Sequence, residues 1–396
     1  PGRETSYGNA GLIQREAVEP YPFPRDIPTL ARAAFKRGAD VNYHLGALPA
    51  VARPLARYFA NSHPERHARI AQAHARLIEH CTAEHAPLIE RAGAAELVRR
   101  DGFLFVYREA ATFREGIERA RRLAQSHGLH HAELDADALA AAEPALRRRL
   151  AGAVHWQDSW AVSDPGELVS RYAALFTREG GRTVRGDAAS LRPTPSGWQV
   201  DSDQGALDAE HAVVALGPWS DTLVRALGYR YPLFVKRGYH RHYRGGEAPR
   251  LAMLDADRGL VIVPMRQGVR ITTGAEFARL DAPPTPVQLA RAHALASELV
   301  DLPEPVEATP WLGADTPPAP LAATGLREPV MPANGAMTRA SLSSRRLPST
   351  MAAFSDGRLS ILVATTSPGN SSFGTTRSRC FTRYSSSRYS KVVNAS

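Results

Sequence analysis

The chain has 396 residues, a formal net charge of +9 and two cysteines, Cys81 and Cys380. This length allows two or three structural units with a substantial core, and two distant cysteines do not form a disulfide framework, so a reducing compartment is expected. No apolar run is long enough for a transmembrane helix and no signal-peptide core occurs, which makes a soluble cytoplasmic protein the default expectation.

The first 150 residues are predicted to be mainly helical. A loop of small residues, Glu4 to Gly11, opens the chain, and four prolines between residues 20 and 30 indicate a connector. Apolar residues at spacings of three and four predict helices over 29–37, 45–59, 64–92, 110–127 and 135–142. The apolar run Phe103 to Tyr107 is predicted to be a strand.

From Ala151 onward, strands and helices are predicted to alternate. Asp164 is a good N-cap and Pro165 suits a first helical turn, which predicts a helix through Phe176. Short segments separated by turn residues over 236–277 indicate an antiparallel sheet. Residues 286–300 are predicted to be a helix, and the pattern decays beyond Pro310.

The segment AVVALGPWSDTLV, residues 212–224, is the clearest motif of the body. An apolar strand ends at Gly217, and Ser220 and Asp221 are placed to cap the helix that follows. Small residues at the carboxyl end of a buried strand let a ligand approach the backbone. The alternative is an ordinary strand-to-helix turn.

Taken with the opening loop, this motif resembles the FAD-dependent D-amino-acid oxidase-like oxidoreductases, and D-amino-acid dehydrogenases most closely. The resemblance extends from Arg3 to about Gly313. Its segments are, in order, Glu4–Gly11, Glu143–Leu146, Asp164-Pro165, Val213–Gly217, Lys236–Tyr239 and Ile271–Phe277.

The resemblance implies an α/β (α+β) fold, with a discontinuous Rossmann-like FAD domain and a substrate domain that combines a large antiparallel sheet with helices. Residues 1–25, 150–230 and 300–340 would form a partial FAD domain, and residues 26–149 and 231–299 the substrate domain. Residues 341–396 would be a Ser/Arg-rich tail, disordered or out of frame.

The implied cofactor is FAD, and no metal is expected. The residues that the resemblance places at the cofactor are Thr5, Ser6, Asn9, Ala10, Gly11, Ala188, Ala215, Gly217 and Trp219. The family's pyrophosphate-binding GxGxxG turn does not occur in these 396 residues, so the chain is expected to begin about one βαβ unit late.

The segment KRGYHRHY, residues 236–243, is the densest cluster of polar and aromatic residues. Tyr239, Arg241 and Tyr243 share one face of a strand, with His240 and His242 on the other. An arginine and a neighbouring hydroxyl suit a substrate carboxylate, and Arg270 is a further candidate because its strand is expected to pair near this cluster. These four residues are therefore predicted to position the substrate, although an exposed sheet face is the alternative.

The implied activity is oxidation of a small (D-)amino acid to its imino or keto acid by hydride transfer to flavin. Its partners would be the amino-acid substrate and an electron acceptor such as a quinone, and not nucleic acid. This implies a cytoplasmic location, or peripheral association with the inner membrane. The helical histidines lack a complete ligand set for a metal, and the chain contains neither a G-x-S-x-G elbow nor a Walker loop.

The carboxyl end departs from the family pattern from about Asp315. Residues 341–396 hold eight Lys or Arg, one acid and fifteen Ser, whereas the preceding 340 residues carry a net charge of +2. Three hypotheses remain open: a disordered tail that binds nucleic acid or lipid, a divergent domain, and a reading-frame shift near Ala314, which we favour. The alternatives for function are a non-catalytic remnant and a basic-tail nucleic-acid-binding protein.

Overall fold

The computed structural model describes residues 2–3, 5–36, 38–231 and 235–315, together with four strands between Thr350 and Val393. Within this part the α-helices are α1 (Ile27–Ala34), α2 (Leu48–Asn61), α3 (Pro64–Ile78), α4 (Cys81–Arg91), α5 (Ala110–His127), α6 (Ala136–Ala142), α7 (Pro165–Arg178), α8 (Ser220–Ala226) and α9 (Val287–Ser297). None of these helices is both long enough and apolar enough to cross a bilayer.

The strands up to residue 209 are β1 (Leu12–Ile13), β2 (Val41–Tyr43), β3 (Val98–Arg99), β4 (Phe103–Tyr107), β5 (His131–Asp135), β6 (Gly152–Trp156), β7 (Trp160–Val162), β8 (Arg182–Val184), β9 (Gly186–Thr194), β10 (Gly197–Ser202) and β11 (Gly205–Ala209). Those that follow are β12 (His211–Val214), β13 (Lys236–Arg244), β14 (Met253–Asp255), β15 (Leu260–Met265), β16 (Gly268–Thr272), β17 (Ala275–Phe277), β18 (Glu304–Pro305), β19 (Trp311–Asp315), β20 (Thr350–Ser355), β21 (Ser360–Thr365), β22 (Cys380–Arg383) and β23 (Ser390–Val393).

A large mixed sheet dominates the described chain. Its order is β2-β17-β13-β16-β15-β14-β4-β6-β5, and the short strands β18 and β19 also pair with β13. Most neighbours are antiparallel, but β17 pairs with β2 and β14 with β4 in parallel. This confirms the predicted class, a fold of strands and helices with a large and mainly antiparallel sheet.

The large sheet carries apolar side chains on both faces. On one face, Tyr239 and Tyr243 of β13 belong to a buried cluster with Leu289 and Ala292 of α9. On the other face, a second cluster joins Ala10 of the opening loop to β4, β6, α3 and α5. Strand β13 is thus a central strand whose two faces meet different parts of the chain.

A second unit contains the residues around the predicted cofactor turn. Strands β12, β21, β20 and β8 form one sheet, and β9, β10 and β11 form a meander. Val184, Ala188, Leu216 and Leu223 share a buried cluster at this unit. The assignment of segments to an FAD domain and a substrate domain stays a prediction.

Part of the Ser/Arg-rich tail forms strands. Strand β20 pairs with β8, and β21 lies between β20 and β12. Locally apolar or β-branched sequences, such as ILVAT at 361–365, explain strand formation in an otherwise polar tail. The remainder of 341–396 lies outside the described residues, and the proposed frame shift stays a prediction.

Helix boundaries follow the sequence signals with two exceptions. Ser220 and Asp221 do not cap α8, because both lie inside it, its N-cap is Trp219 without a side-chain cap, and the Asp221 carboxylate accepts from Arg225. The side chain of Asp164 caps α7 by accepting a hydrogen bond from the Glu167 N–H at 3.0 Å, as predicted. The segment 64–92, however, is two helices rather than one, with a break at Glu79 and His80. The buried side of α3 runs through Ile70, Ala71, Ala75 and Ile78, and Leu77 beside it is 40% exposed.

Candidate active site

The opening loop is held against one face of β13 and β16 through its backbone carbonyls. The Nη1 of Arg270 donates to the carbonyl oxygen of Tyr7 at 3.0 Å and to that of Asn9. Between these two, the carbonyl of Gly8 lies 3.2 Å from Nδ1 of His240. Three successive carbonyls of the loop therefore point at the sheet.

Small residues allow the loop to approach so closely. A Cβ built on Gly8 would overlap the indole ring of Trp311, and one on Gly11 would overlap the carbonyl oxygen of Val162. Gly11 also has a φ of +67°, which favours glycine, and its N–H donates to Oδ1 of Asn9 at 2.8 Å. The Asn-Ala-Gly sequence thus encodes a tight turn beneath the sheet.

The side chain of His240 is fully buried and carries an unpaired nitrogen. Because the Gly8 carbonyl can only accept, Nδ1 of His240 holds the ring proton and Nε2 presents a lone pair. This Nε2 is buried and has no hydrogen-bond partner. Burial, and then the charge of Arg270, lower the pKa of His240 to about 2, so the ring is neutral.

Aromatic rings enclose this imidazole. The indole of Trp311 is stacked on the His240 ring with centroids 4.8 Å apart and planes 16° apart. The ring of Tyr7 lies 5.8 Å from the same imidazole. An indole therefore covers one face of the buried imidazole, and a tyrosine ring lies beside it.

His242 links Arg270 to a carboxylate. The Nε–H of Arg270 donates to Nε2 of His242 at 2.8 Å, so the ring proton of His242 sits on Nδ1, which donates to Glu307. Burial, and then the Arg270 charge, lower the pKa of His242. Burial opposes ionisation of Glu307, but hydrogen bonds from His242 outweigh it and lower that pKa.

His240, His242 and Glu307 also place potential metal ligands within 4.8 Å of one another. Both ring nitrogens of His242 are already used, one by the Arg270 guanidinium. A cation on Nδ1 would move the ring proton to Nε2, where it would face the Nε–H of Arg270. The cluster is therefore better suited to hydrogen bonding than to holding a cation.

The four residues predicted to position substrate do not lie together. Arg270 is opposite His242 in the β13–β16 register and shares its face. On the other face, the Tyr239 hydroxyl accepts from the Thr285 N–H at 2.7 Å and donates to Glu276 at 3.1 Å. The substrate-positioning roles of all four residues stay predictions.

Arg241 and Tyr243 are also engaged on the face of Tyr239. The guanidinium of Arg241 donates to the carbonyl oxygens of Glu307 and Ala308. The Tyr243 ring is stacked on His293 of α9, with centroids 5.0 Å apart. This face packs against α9 and the segment that carries Glu307, away from the opening loop.

The residues predicted at the cofactor form two groups that meet at β19. The hydroxyl of Thr5 donates to the carbonyl of Ala314 at 2.8 Å, and the turn Gly217–Trp219 contacts the same strand. The loop group is Thr5, Ser6, Asn9, Ala10 and Gly11. The second group is Ala188, Ala215, Gly217 and Trp219, where buried Ala188 shares a cluster with Leu216 and half-buried Trp219 packs against it.

Sequence reasoning passed over the residues that surround the loop. His240, His242, Glu307, Trp311 and Tyr7 were not selected as site residues, although strand alternation had placed the two histidines on a common face. The available signal was the two histidines on one face of β13, because His242 is opposite Arg270 and a neutral imidazole can accept a hydrogen bond from a buried guanidinium. Glu307 carried no signal in the sequence.

Comparison with known proteins identifies relatives across most of the chain. A family model described as FAD dependent oxidoreductase matches residues 1–335. A D-amino-acid oxidase of Bradyrhizobium diazoefficiens is 28% identical over 323 residues, which is 79% of this chain and 76% of that protein. A D-amino acid dehydrogenase of Chromohalobacter salexigens is 28% identical over 71% of this chain and 69% of its own.

Two solved structures with a similar fold are described as oxidases. Glycine oxidase from Geobacillus kaustophilus has a TM-score of 0.52 at 18% identity, covering 80% of this chain and 74% of that one. Iminodiacetate oxidase from Chelativorans sp. BNC1 has a TM-score of 0.55 at 16% identity, with the same coverage. At these identities the likeness shows the fold alone.

Proposed function

Because this chain belongs to the FAD-dependent oxidoreductase family over residues 1–335, we propose that it oxidises a small amino acid to its imino acid. The names of the relatives, D-amino-acid oxidase and D-amino acid dehydrogenase, support a D-amino acid as the first substrate to test. The bond broken would be Cα–H, for whose hydride bound FAD would supply the acceptor, and the amine lone pair would form the C=N bond. Loss of one N–H proton then leaves the C=N bond of the product.

The residues present fit one part of FAD. Gly217 has a φ of +54°, and no described heavy atom lies within 4 Å of a Cβ built on it, so a planar ligand could approach its backbone. This turn and the loop Thr5–Gly11, which meet at β19, would hold the flavin side of the cofactor. The 396 residues contain no GxGxxG sequence for the pyrophosphate. FAD, when bound, supplies the two-electron acceptor.

The observation that carries the proposal is the unpaired Nε2 of His240 beside the guanidinium of Arg270. Arg270 uses Nε and Nη1 for His242 and the loop carbonyls, and among the described residues no acceptor is hydrogen-bonded to its Nη2. A buried acceptor and a buried cation together match the two ends of an amino acid. The substrate amine would donate to Nε2, and the substrate carboxylate would bind Nη2.

This pairing also selects the protonation state of the substrate. An ammonium group near the Arg270 guanidinium is repelled, whereas a free amine donates to His240 without that penalty. A free amine has the nitrogen lone pair that forms the C=N bond. Since the pKa of His240 is lowered to about 2, this residue acts as a hydrogen-bond acceptor and not as a base.

Residues on the opposite face of β13 would help to position His240 and Arg270. Arg241 holds the carbonyls of Glu307 and Ala308, which keeps the Glu307 carboxylate against His242. Tyr239 and Tyr243 fix β13 through Thr285 and α9. A quinone is proposed as the acceptor that takes the electrons from reduced FAD.

The experiment is to load the full chain with FAD and mix it anaerobically with single amino acids. Bleaching of the visible flavin absorbance by a D-amino acid, glycine or sarcosine, with release of the imino or keto acid, is the expected result. The matched control is the carboxylic acid that lacks the amine, which should bind without bleaching. A chain that takes up no FAD, or whose FAD no amino acid reduces, would support a non-catalytic remnant instead.

A further inference from the structure

Large apolar side chains are exposed between residues 27 and 59. Ile27 is 80% exposed and Leu45 is 71% exposed, and Leu48 and Phe59 are also exposed. Single exposed apolar residues need no explanation, but contiguous apolar patches on soluble proteins mark interaction sites. The question is whether these four side chains form one surface.

Helix α2 carries two of them, Leu48 and Phe59, on a single face. Leu48, Ala52, Ala56 and Phe59 follow at spacings of four, four and three, so they share one face of the helix, and all four are exposed. Leu45 lies in the turn that leads directly into this face. On the side of α2 that faces the core, Val51 is buried. The outer face of α2 is thus an apolar stripe about three turns long.

The stripe is bordered by basic residues. Arg53 and Arg57 are exposed on the same helix, and no described carboxylate forms an ion pair with either. The guanidinium of Arg25 lies 4.4 Å from the centroid of the Phe59 ring and donates to the Phe59 carbonyl at 2.8 Å. Arg25 therefore connects α2 with Ile27, and all these residues together are called the outer α2 surface.

The sequence around this surface has a strong excess of positive charge. Residues 20–60 contain six Lys or Arg against two Asp, although the first 340 residues together have a net charge of +2. One of the two, Asp26, caps α1 by accepting from the Thr29 N–H at 2.8 Å. The segment that contains the apolar stripe is therefore basic in sequence.

We propose that the outer α2 surface docks onto the anionic headgroups of a phospholipid bilayer. An amphipathic helix with apolar residues on one side and arginines at its border lies in the plane of a membrane interface. On an anionic membrane, each such basic residue increases the binding affinity by roughly fivefold. The stripe supplies the apolar area and the arginines supply the preference for negative charge.

A second copy of the chain is a poorer occupant of the same surface. Symmetric dimers bury the same patch of both partners, which would bring Arg53 and Arg57 close to their own copies. Like charges facing one another without intervening acids oppose association. Charge complementarity therefore favours a negatively charged partner.

The proposal goes beyond amino-acid oxidation and does not depend on it, because it rests on exposed side chains far along the chain from β13. The test is sedimentation of the full chain with two kinds of vesicle, pure phosphatidylcholine and phosphatidylcholine with about one third phosphatidylglycerol. We expect binding to the anionic vesicles and little to the neutral ones. Failure to sediment with anionic vesicles overturns the proposal.

Variants separate this surface from the basic tail, which also carries positive charge. The double variant Arg53→Glu/Arg57→Glu should lower the vesicle partition coefficient by at least about tenfold, and Ile27→Ser/Leu45→Ser should also lower it. Arg76→Glu/Leu77→Ser, exposed residues of α3, is the matched control and should bind as the unchanged protein does. Equal binding by all three double variants would place the lipid contact elsewhere and overturn the proposal.

Oxidation of amino acid with a soluble dye as acceptor is measured on the same proteins. None of the substituted residues belongs to the proposed substrate site, so this activity should be unchanged in every variant. Loss of vesicle binding with retained dye reduction supports the proposal. If these substitutions lower vesicle binding as expected but the unchanged protein has no oxidase activity, the membrane contact is supported and the proposed function is rejected.

Discussion

Arg270 and His242 face each other across adjacent antiparallel strands, and the Arg270 Nε–H donates to Nε2 of His242 at 2.8 Å. The same guanidinium holds the carbonyls of Tyr7 and Asn9, more than 250 residues away in sequence. One buried side chain thus joins the sheet, the histidine pair and the opening loop. Burial lowers its pKa to about 10, which still leaves it charged at neutral pH.

Removing this guanidinium should destabilise the protein. In Arg270→Gln, the Tyr7 and Asn9 carbonyls and Nε2 of His242 lose their donors, and unsatisfied buried acceptors cost about 1 kcal/mol or more each. We expect the free energy of unfolding, measured by urea titration, to fall by about 2–4 kcal/mol. Arg270→Lys, which keeps the charge but not the fork of donors, should be intermediate. An unchanged urea midpoint for Arg270→Gln would contradict the described contacts.

Replacing the unpaired acceptor should reduce turnover without unfolding the protein. His240→Phe removes Nε2 but retains a flat ring beneath Trp311, and we expect kcat/KM for an amino acid to fall by about tenfold. His240→Gln, which can present an oxygen acceptor, should retain more activity. Binding of the carboxylic acid that lacks the amine serves as the control and should be unaffected. If His240→Phe weakens that acid as strongly, His240 does not recognise the amine.

The pH dependence of kcat/KM should follow the substrate and not His240. Because His240 has a pKa of about 2, it remains neutral throughout the working range. The free amine is the form that binds, so kcat/KM should rise with pH up to the pKa of the substrate's own amine. Repeating the profile with substrates of different amine pKa is the measurement. A profile with one fixed midpoint for all of them would assign the titration to the protein.

The sequence predicted the strands of this site but not which face of β13 contacts the opening loop. Alternation along KRGYHRHY fixed two faces of β13, and Arg270 was correctly expected to lie in a strand pairing near it. Alternation cannot tell which face meets the opening loop, because both faces are buried and the choice is made by contacts such as that of Arg270 with Tyr7. Glu307 could not be found, since its loop has no periodic pattern.

The pair Arg237 and Glu276 offers a test of how β13 and β17 are held together. Both side chains are buried, and Nε and Nη2 of Arg237 donate to Oε2 of Glu276 at 2.9 and 2.7 Å. Arg237→Met should leave the buried Glu276 carboxylate without its cationic partner and cost about 3–5 kcal/mol in unfolding free energy. The Tyr239 hydroxyl and the side chains of Asn42 and Thr285 still donate to that carboxylate. Arg237→Met/Glu276→Gln, which removes the unpaired charge but keeps an acceptor for these donors, should recover much of this loss. Additive losses in the double variant would show that the two side chains are not coupled.

Glu16 should make stability depend on pH. It is buried beside Ser159 and Gln14, and burial raises its pKa above the model-peptide value of 4.5. The folded state therefore binds the proton more tightly, so this contribution is complete below pH 4.5 and is lost as the pH rises through the folded-state pKa. Glu16→Gln should gain stability relative to the unchanged protein between mildly acidic and neutral pH. Parallel urea curves at all pH values would contradict this.

The indole of Trp311, stacked on the His240 ring, is an intrinsic fluorescence probe of ligand binding at this site. A molecule that hydrogen-bonds to Nε2 would bind at the edge of the imidazole on which this indole is stacked, and it would change the surroundings and hence the emission of that tryptophan. The difference in fluorescence between the unchanged protein and Trp311→Phe isolates this signal from the other indoles. The affinities of candidate ligands can then be ranked by fluorescence titration, without a coloured or labelled ligand and without catalytic turnover.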